Sequence, residues 1–197
     1  MKSRYYCILI PAFIMLVFYG CKSGSIQNET LQPTDDVEVN SHAQDEKEKM
    51  LDTALKMSGK KITAEERNAA LRMLNLNEDD LINGLNVFAE LSDGRYPSRL
   101  DTKTTLKETD ELGAEKFRDM SEYERKQKVQ DIFFASAYYD KLQRQKKDVE
   151  YYGDKVTAKD NDKILIRWKT GKDKYHIVFG DLSTENVLIK RLAELEK

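Results

Sequence analysis

Few side chains in this sequence have the types and spacing that enzyme chemistry uses. The two cysteines, Cys7 and Cys21, lie within the first 21 residues, so the rest of the chain offers no thiol nucleophile, disulfide or cysteine metal ligand. The two histidines, His42 and His176, are far apart, and the chain has no His-Glu-x-x-His, Gly-x-Ser-x-Gly or phosphate-binding glycine-rich motif. We therefore expect no cofactor, no metal and no familiar catalytic set.

Carboxylates are abundant and leave two chemical alternatives open. Asp154, Asp160 and Asp162 lie near Asn161, and oxygen-rich loops of this kind can bind Ca²⁺, although the spacing differs from that of an EF-hand. A turn before a strand explains the same residues. Two carboxylates facing each other across a groove could support hydrolysis, but no pair stands out in the sequence. An enzyme is therefore not favoured, and a carboxylate-dependent hydrolase stays an alternative.

The N-terminus has the organisation of a bacterial signal peptide. Lys2 and Arg4 precede a run of 13 residues, 7–19, that is apolar and without charge, and the small residue Gly20 follows it. A helix that crosses the hydrocarbon layer needs about 20 apolar residues, so this run is short for a transmembrane span. Pro11 within the run also weakens a continuous helix. The pattern predicts export and removal of residues 1–20.

The residues Val17, Phe18, Tyr19, Gly20 and Cys21 resemble the lipobox of bacterial lipoproteins. The resemblance implies a diacylglycerol on the Cys21 sulfur, cleavage before Cys21 and acylation of the new amine. Several acyl chains anchor a protein stably, because each buried CH₂ contributes about 0.8 kcal/mol. The alternative is an uncleaved signal anchor in which Cys21 has no role. Both interpretations place the rest of the chain in the cell envelope, attached to an inner or outer membrane.

The remainder of the chain is interpreted as a tether followed by one domain. Residues 22–42 are polar and lack sustained apolar periodicity, which is typical of a flexible linker. The predicted organisation is a signal peptide over 1–20, the lipidated cysteine and tether over 21–42, and an exported domain over 43–197. The net charge of −2 gives no electrostatic reason to expect a nucleic acid partner.

Capping signals and helical periodicity predict that most of this domain is helical. Residues 101–120 are expected to be weakly helical at best. The basic run at the end of the longest helix, 141–147, is interpreted as a solvated helix end. The predicted helices cover 43–58 up to Gly59, start at the Thr63–Glu66 capping box, run from Asn77 to Gly94, and run over 122–147 after the Ser121–Glu124 capping box.

The C-terminal part changes to a strand period and predicts a β-hairpin near 163–180. Residues 164–168 and 175–179 alternate apolar and polar positions, with a turn between them. Alternation is expected to place Trp168 with Ile164 and Ile166 on a buried face, and His176 on the more exposed side. A final helix capped by Ser183 is expected to cover the hairpin, since a lone hairpin is marginal in water. Its apolar stripe is Val187, Leu188, Leu192 and Leu195. The predicted fold class is thus α+β, a helix-rich domain with a C-terminal hairpin packed on helices.

Two segments resemble parts of other exported proteins. Residues 93–97 resemble a segment of pseudopilin-type secreted domains, but the chain lacks the prepilin cleavage motif, so no pilus function is expected. Residues 151–183 resemble the end of uncharacterised exported or membrane-anchored bacterial proteins and contain no catalytic motif. A turn in which Tyr96 packs back on a helix explains the first segment.

Three function hypotheses remain open at this point. The first is a lipid-anchored, non-enzymatic domain that contacts another envelope protein, for which Tyr96, Tyr151 and Tyr152 are the candidate interaction surface, because tyrosine offers contact area at low entropic cost. The second is a small-ligand or glycan-binding module that involves Tyr151, Tyr152 and Trp168. The third is the carboxylate-dependent hydrolase. The structural alternative to the first hypothesis is that these tyrosines are half buried and line a small core, rather than forming a surface for a partner.

Overall fold

The structure, a computed structural model, describes residues 36–59 and 61–197. These residues form six helices and a four-stranded antiparallel sheet near the C-terminus, which confirms the predicted α+β class. The described residues divide into two compact units, one up to residue 75 and one over 76–197. The elements are α1 (Asp36–Ser58), α2 (Ala64–Leu74), α3 (Glu78–Leu91), α4 (Thr102–Lys116), α5 (Glu122–Arg144), β1 (Glu150–Tyr151), β2 (Ile164–Gly171), β3 (Lys174–Phe179), β4 (Thr184–Leu188) and α6 (Ile189–Leu195).

The first unit contains α1 and α2. Helix α1 begins at Asp36, so residues 36–42 are helical and the predicted tether ends earlier than expected. Extending an existing helix costs much less than nucleating one, which explains the longer helix. The Thr63–Glu66 capping box at the start of α2 is confirmed, and Arg67 forms an ion pair of 3.0 Å with Asp52 of α1. No residue of α2 is buried within the described chain.

None of the helices that the structure describes is both long and apolar enough to cross a membrane.

Helices α3 and α5 form the centre of the second unit. Both begin at confirmed N-caps, Asn77 and Ser121, each with a reciprocal capping box. The two helices approach closely at Gly84, where an added Cβ would lie 2.4 Å from the Asp131 carbonyl oxygen and 2.5 Å from the Cβ of Ala135. Only glycine fits this crossing without a shift of the backbone.

The expectation of weak structure over 101–120 is wrong, because α4 is a regular helix. Asp101 caps it through a bond of 3.0 Å from the Thr104 amide. Its buried face is formed by Thr105 and Thr109, one turn apart, and the Thr109 hydroxyl donates to the Thr105 carbonyl at 2.8 Å. The sequence pattern does not predict this helix, because threonine has a low helix propensity and counts as a polar residue. In the helix, however, the methyl group of threonine can pack in the core while its hydroxyl forms a hydrogen bond to the backbone one turn earlier.

The sheet has the order β1-β2-β3-β4 with antiparallel neighbours. The predicted hairpin is present as β2 and β3, and Trp168 pairs with His176 across it. One face of the sheet packs against α3 and α5, and the other packs against α6. The first face contributes Leu165, Ile166, Trp168 and Val178, and the second contributes Ile164, Tyr175, Ile177 and Val187.

The predicted helix from Ser183 is wrong in its first part, because residues 184–188 form strand β4 beside β3. Ser183 is not an N-cap; its amide and hydroxyl donate to Asp181 in the turn before β4. Helix α6 starts only at Ile189, and Leu188 is 56% exposed rather than part of an apolar stripe. The apolar residues of so short a segment fit both the helical and the strand period. Residues 184–188 form a strand because they pair with the edge of β3.

Candidate functional site

Of the sequence-predicted site residues, Cys21 lies outside the described residues, and Tyr96 lies in the core. Tyr96 is 5% exposed, and its hydroxyl donates to the Gly180 carbonyl at 2.7 Å. Burial, with a smaller effect of the Asp181 charge, raises the pKa of Tyr96 to about 12. Tyr96 is therefore a structural residue and offers no side-chain surface for a partner.

Tyr151 and Tyr152 are adjacent in sequence but have different environments. The Tyr151 hydroxyl donates to the Pro97 carbonyl at 2.9 Å, and burial raises its pKa well above the ordinary value. The partly buried Tyr152 has its hydroxyl 3.4 Å from a carboxylate oxygen of Glu196. The three candidate tyrosines do not form one exposed cluster.

Tyr96 and Tyr151 instead connect residues 93–97 with the sheet and its loops. Arg95 forms a β-bridge with Thr157, and the Ala158 amide donates to the Gly94 carbonyl at 2.8 Å. A Cβ added at Gly180 would lie 2.4 Å from the Asp160 carbonyl oxygen. Residues 93–97 thus pack on the loops around the sheet. Both this segment and residues 151–183 therefore have a role in the fold.

Trp168 is buried, as predicted, but by different neighbours. It is 4% exposed and packs edge to face on Tyr138 of α5, with ring centroids 6.3 Å apart. An irregularity between Ile164 and Ile166 shifts the register, so Ile164 lies on the opposite face, with Tyr175 and Ile177. The expected cover from the last helix is therefore wrong for Trp168, since α6 covers the other face.

His176 is buried rather than exposed. It lies on the face of the sheet that carries Trp168, and the two ring centroids are 4.6 Å apart. Its Nε2 lies 2.8 Å from a Glu78 carboxylate oxygen, and its Nδ1 lies 2.9 Å from the Asn186 side-chain oxygen. The residue thus links β3, β4 and the start of α3. The prediction that placed His176 on the more exposed side, away from Trp168, is wrong, because the two residues are paired on one face of the sheet and helices cover that face.

A pocket of about 420 Å³ opens beside Trp168. It lies between the start of α3, the end of α5 and the end of β2. The sequence analysis names Trp168 as a candidate residue, but it interprets the basic residues at the end of α5 as a solvated helix end. Two of those basic residues, Lys141 and Lys147, lie at the pocket. The pocket is lined by Leu76, Asn77, Glu78, Tyr138, Lys141, Leu142, Gln145, Lys147, Trp168, Lys169 and Thr170.

The candidate calcium loop is organised by protein groups. Asp160 accepts bonds from the Thr157 amide at 2.9 Å and the Thr157 hydroxyl at 2.8 Å, and it forms an ion pair of 2.6 Å with Lys163. Those bonds lower the pKa of Asp160 to about 2, with the Lys163 bond as the largest cause. Within the described residues, no group of three or more histidine, cysteine or acidic side chains is placed to hold a metal ion.

One pair of carboxylates near each other lies where α4 meets α5. Asp140 accepts a bond of 2.9 Å from the Thr102 hydroxyl, and burial, with a smaller effect of Asp101, raises its pKa. Asp101, in turn, caps α4. Both carboxylates thus fix the start of α4, and neither lines the pocket beside Trp168.

No family model matches the chain, and no similar protein was found among curated sequences or solved structures.

Proposed function

We propose that this chain is an exported lipoprotein of the bacterial cell envelope, attached to a membrane through lipid on Cys21. The observation that carries the proposal is the order of N-terminal segments: a basic start, a short uncharged apolar run, and the lipobox-like residues 17–21. The anchor would hold the folded part close to one membrane surface.

We further propose that the folded part acts through contact with another envelope protein rather than through catalysis. The side chains best suited to chemistry are used inside the fold: Tyr96 and Tyr151 hold a loop on the sheet, and His176 bridges Glu78 and Asn186. This use of reactive groups supports a binding role, because a catalytic group must be able to reach a substrate.

The outer edge of β4 is the surface that best fits such a contact. Among the strands that the structure describes, β4 is the last of the sheet and pairs only with β3, so its other side presents main-chain donors and acceptors. Leu188 and Ile189, 56% and 48% exposed, lie next to each other at its end. An extended segment of a partner protein can pair with such an edge and cover both side chains.

The anchor is tested with Cys21→Ser in the full chain, and Cys7→Ser is the matched control. We expect Cys21→Ser to lose incorporation of labelled palmitate and either to leave the membrane fraction or to accumulate as uncleaved precursor, because the thiol is the lipid acceptor. Cys7→Ser should be labelled like the wild type. Equal labelling of Cys21→Ser and the wild type would rule out the lipoprotein assignment.

The contact is tested by site-specific photo-crosslinking in intact cells, with the crosslinker at Leu188 in one chain and at Tyr123 in another. Tyr123 is 68% exposed at the start of α5 and is the control for exposure alone. We expect a discrete crosslinked envelope protein from position 188 that disappears in the Ile189→Lys variant. Identical products from both positions, or a product that Ile189→Lys does not affect, would contradict the assignment of β4.

A further inference from the structure

Strand β4 is bonded to β3 at alternate residues. The Phe179 amide donates to the Ser183 carbonyl at 2.9 Å, which makes these two residues a hydrogen-bonded pair. The register then continues along both strands without a shift. In an antiparallel pair, every second residue points its main-chain groups away from the neighbouring strand. The outward groups of β4 therefore belong to Thr184, Asn186 and Leu188.

These outward groups match a second copy of the same strand. A twofold axis at Asn186 places the Asn186 residues of two antiparallel copies opposite each other, and it places Thr184 of each copy opposite Leu188 of the other. The two Asn186 residues then exchange a pair of hydrogen bonds, and each Leu188 amide donates to a Thr184 carbonyl. The Leu188 carbonyl is at the N-cap of α6 and begins the hydrogen bonding of that helix. Strand β4 thus has a register in which it pairs with itself.

The charged side chains beside this edge are also self-complementary. Glu185 lies near the start of β4, Lys190 follows the end of the strand, and both residues are exposed. Neither side chain forms an ion pair or hydrogen bond with any other described residue. Two antiparallel copies bring the acidic start of each strand towards the basic end of the other, whereas parallel copies would align like charges.

We infer that the partner of the β4 edge is a second copy of this chain, paired antiparallel about Asn186. The inference rests on the proposed role of β4 as a contact surface and names the molecule that fills it, a second copy on the same membrane. The two four-stranded sheets form one continuous sheet, and the exposed Leu188 packs beside Thr184 of the other copy. A contact through one strand of five residues is small beside the about 1,200–2,000 Å² of a stable interface. It therefore depends on the high local concentration that a shared membrane provides.

The test uses cysteines at opposing positions of the full chain in intact cells. Chains with Thr184→Cys and chains with Leu188→Cys are produced together, each with its own affinity tag, and are treated with a short thiol-specific crosslinker. In the inferred register the Cα atoms of these two positions lie about 5.5 Å apart, whereas two copies of either position are offset by on the order of 14 Å along the strands. The wild type, which has only Cys7 and Cys21, gives the background.

We expect a product that carries both tags when the two variants are produced together, and none from either variant alone. Leu188→Cys with Tyr123→Cys, at a site 68% exposed, is the control for exposure and should give no such product. Glu185→Lys in both chains should lower the yield about fivefold, because like charges then meet, and Glu185→Lys/Lys190→Glu should restore it.

Absence of a product with both tags, an equal product with Tyr123→Cys, or no rescue by the double charge reversal would overturn the inference. Photo-crosslinking from position 188 separates this failure from failure of the proposed contact. A photo-crosslinked protein other than this chain, without a product that carries both tags, would leave the β4 contact in place and reject the second copy. Absence of any photo-crosslinked product would reject both.

Discussion

At the scale of single residues, the side chains Tyr96, Tyr151 and His176 have groups that could take part in chemistry, and all three form hydrogen bonds that stabilise the fold. A buried tyrosine, histidine or tryptophan needs a partner for its polar atom, and here Tyr96 finds the Gly180 carbonyl while His176 finds Glu78 and Asn186. Trp168 lies between His176 and Tyr138 at the centre of this arrangement. Its burial makes its contribution to stability measurable.

Trp168→Ala should lower the free energy of unfolding by about 3–5 kcal/mol, because truncation of a buried large side chain loses apolar burial and leaves a cavity. Urea titration followed by circular dichroism measures the change. Tyr123→Ala, at a site 68% exposed, is the control and should change stability by no more than about 0.5 kcal/mol. An equally small loss for Trp168→Ala would show that the indole contributes little to the core.

At the scale of the elements, the sequence correctly predicts the helix starts that depend on residues close together in the chain. The capping residues Thr63, Asn77 and Ser121 each accept a bond from an amide three residues later, within reach of their own side chains. Helix α4 and strand β4 were missed because what defines them lies elsewhere in the fold: a buried site for two threonines and the free edge of β3.

The loop before β2 gives a pH-dependent prediction. Folding lowers the pKa of Asp160 from 3.8 to about 2, so its contribution to stability is complete above about pH 4 and is lost as the pH falls through about 2. Asp160→Asn should therefore melt below the wild type at neutral pH, and the difference should shrink towards about pH 2. Asp162→Asn, in the same loop with an exposed side chain, is the control. A difference independent of pH would mean that the charge has no part in the loop.

At the scale of the whole molecule, the second unit contains a complete core. Within the described residues, the three clusters of buried apolar side chains consist of residues from 81 onward. Two of them cover the two faces of the sheet, and the third lies among the helices. The first unit has two helices joined by exposed ion pairs, which contribute little to stability. Core formation therefore belongs to residues 76–197.

Residues 76–197 made alone should unfold in one cooperative transition, because the buried apolar surface that drives folding lies within them. Thermal unfolding with and without dithiothreitol should coincide, since this part contains no cysteine. Residues 36–75 made alone should melt without a cooperative transition, because short helices without a core are marginal in water. A fragment 76–197 without a cooperative transition would contradict the division into units.

The sequence by itself determined the α+β class, the starts of α2, α3 and α5, the hairpin and the burial of Trp168. These depend on contacts over a few residues or on the apolar character of one side chain. Only the tertiary structure decided that Tyr96 and Tyr151 face inward, that Ile164 and Trp168 lie on opposite faces, and that α5, α3 and β2 meet around a pocket lined by Lys147 and Lys169. Each of these depends on groups far apart in the chain, whose approach no local pattern encodes.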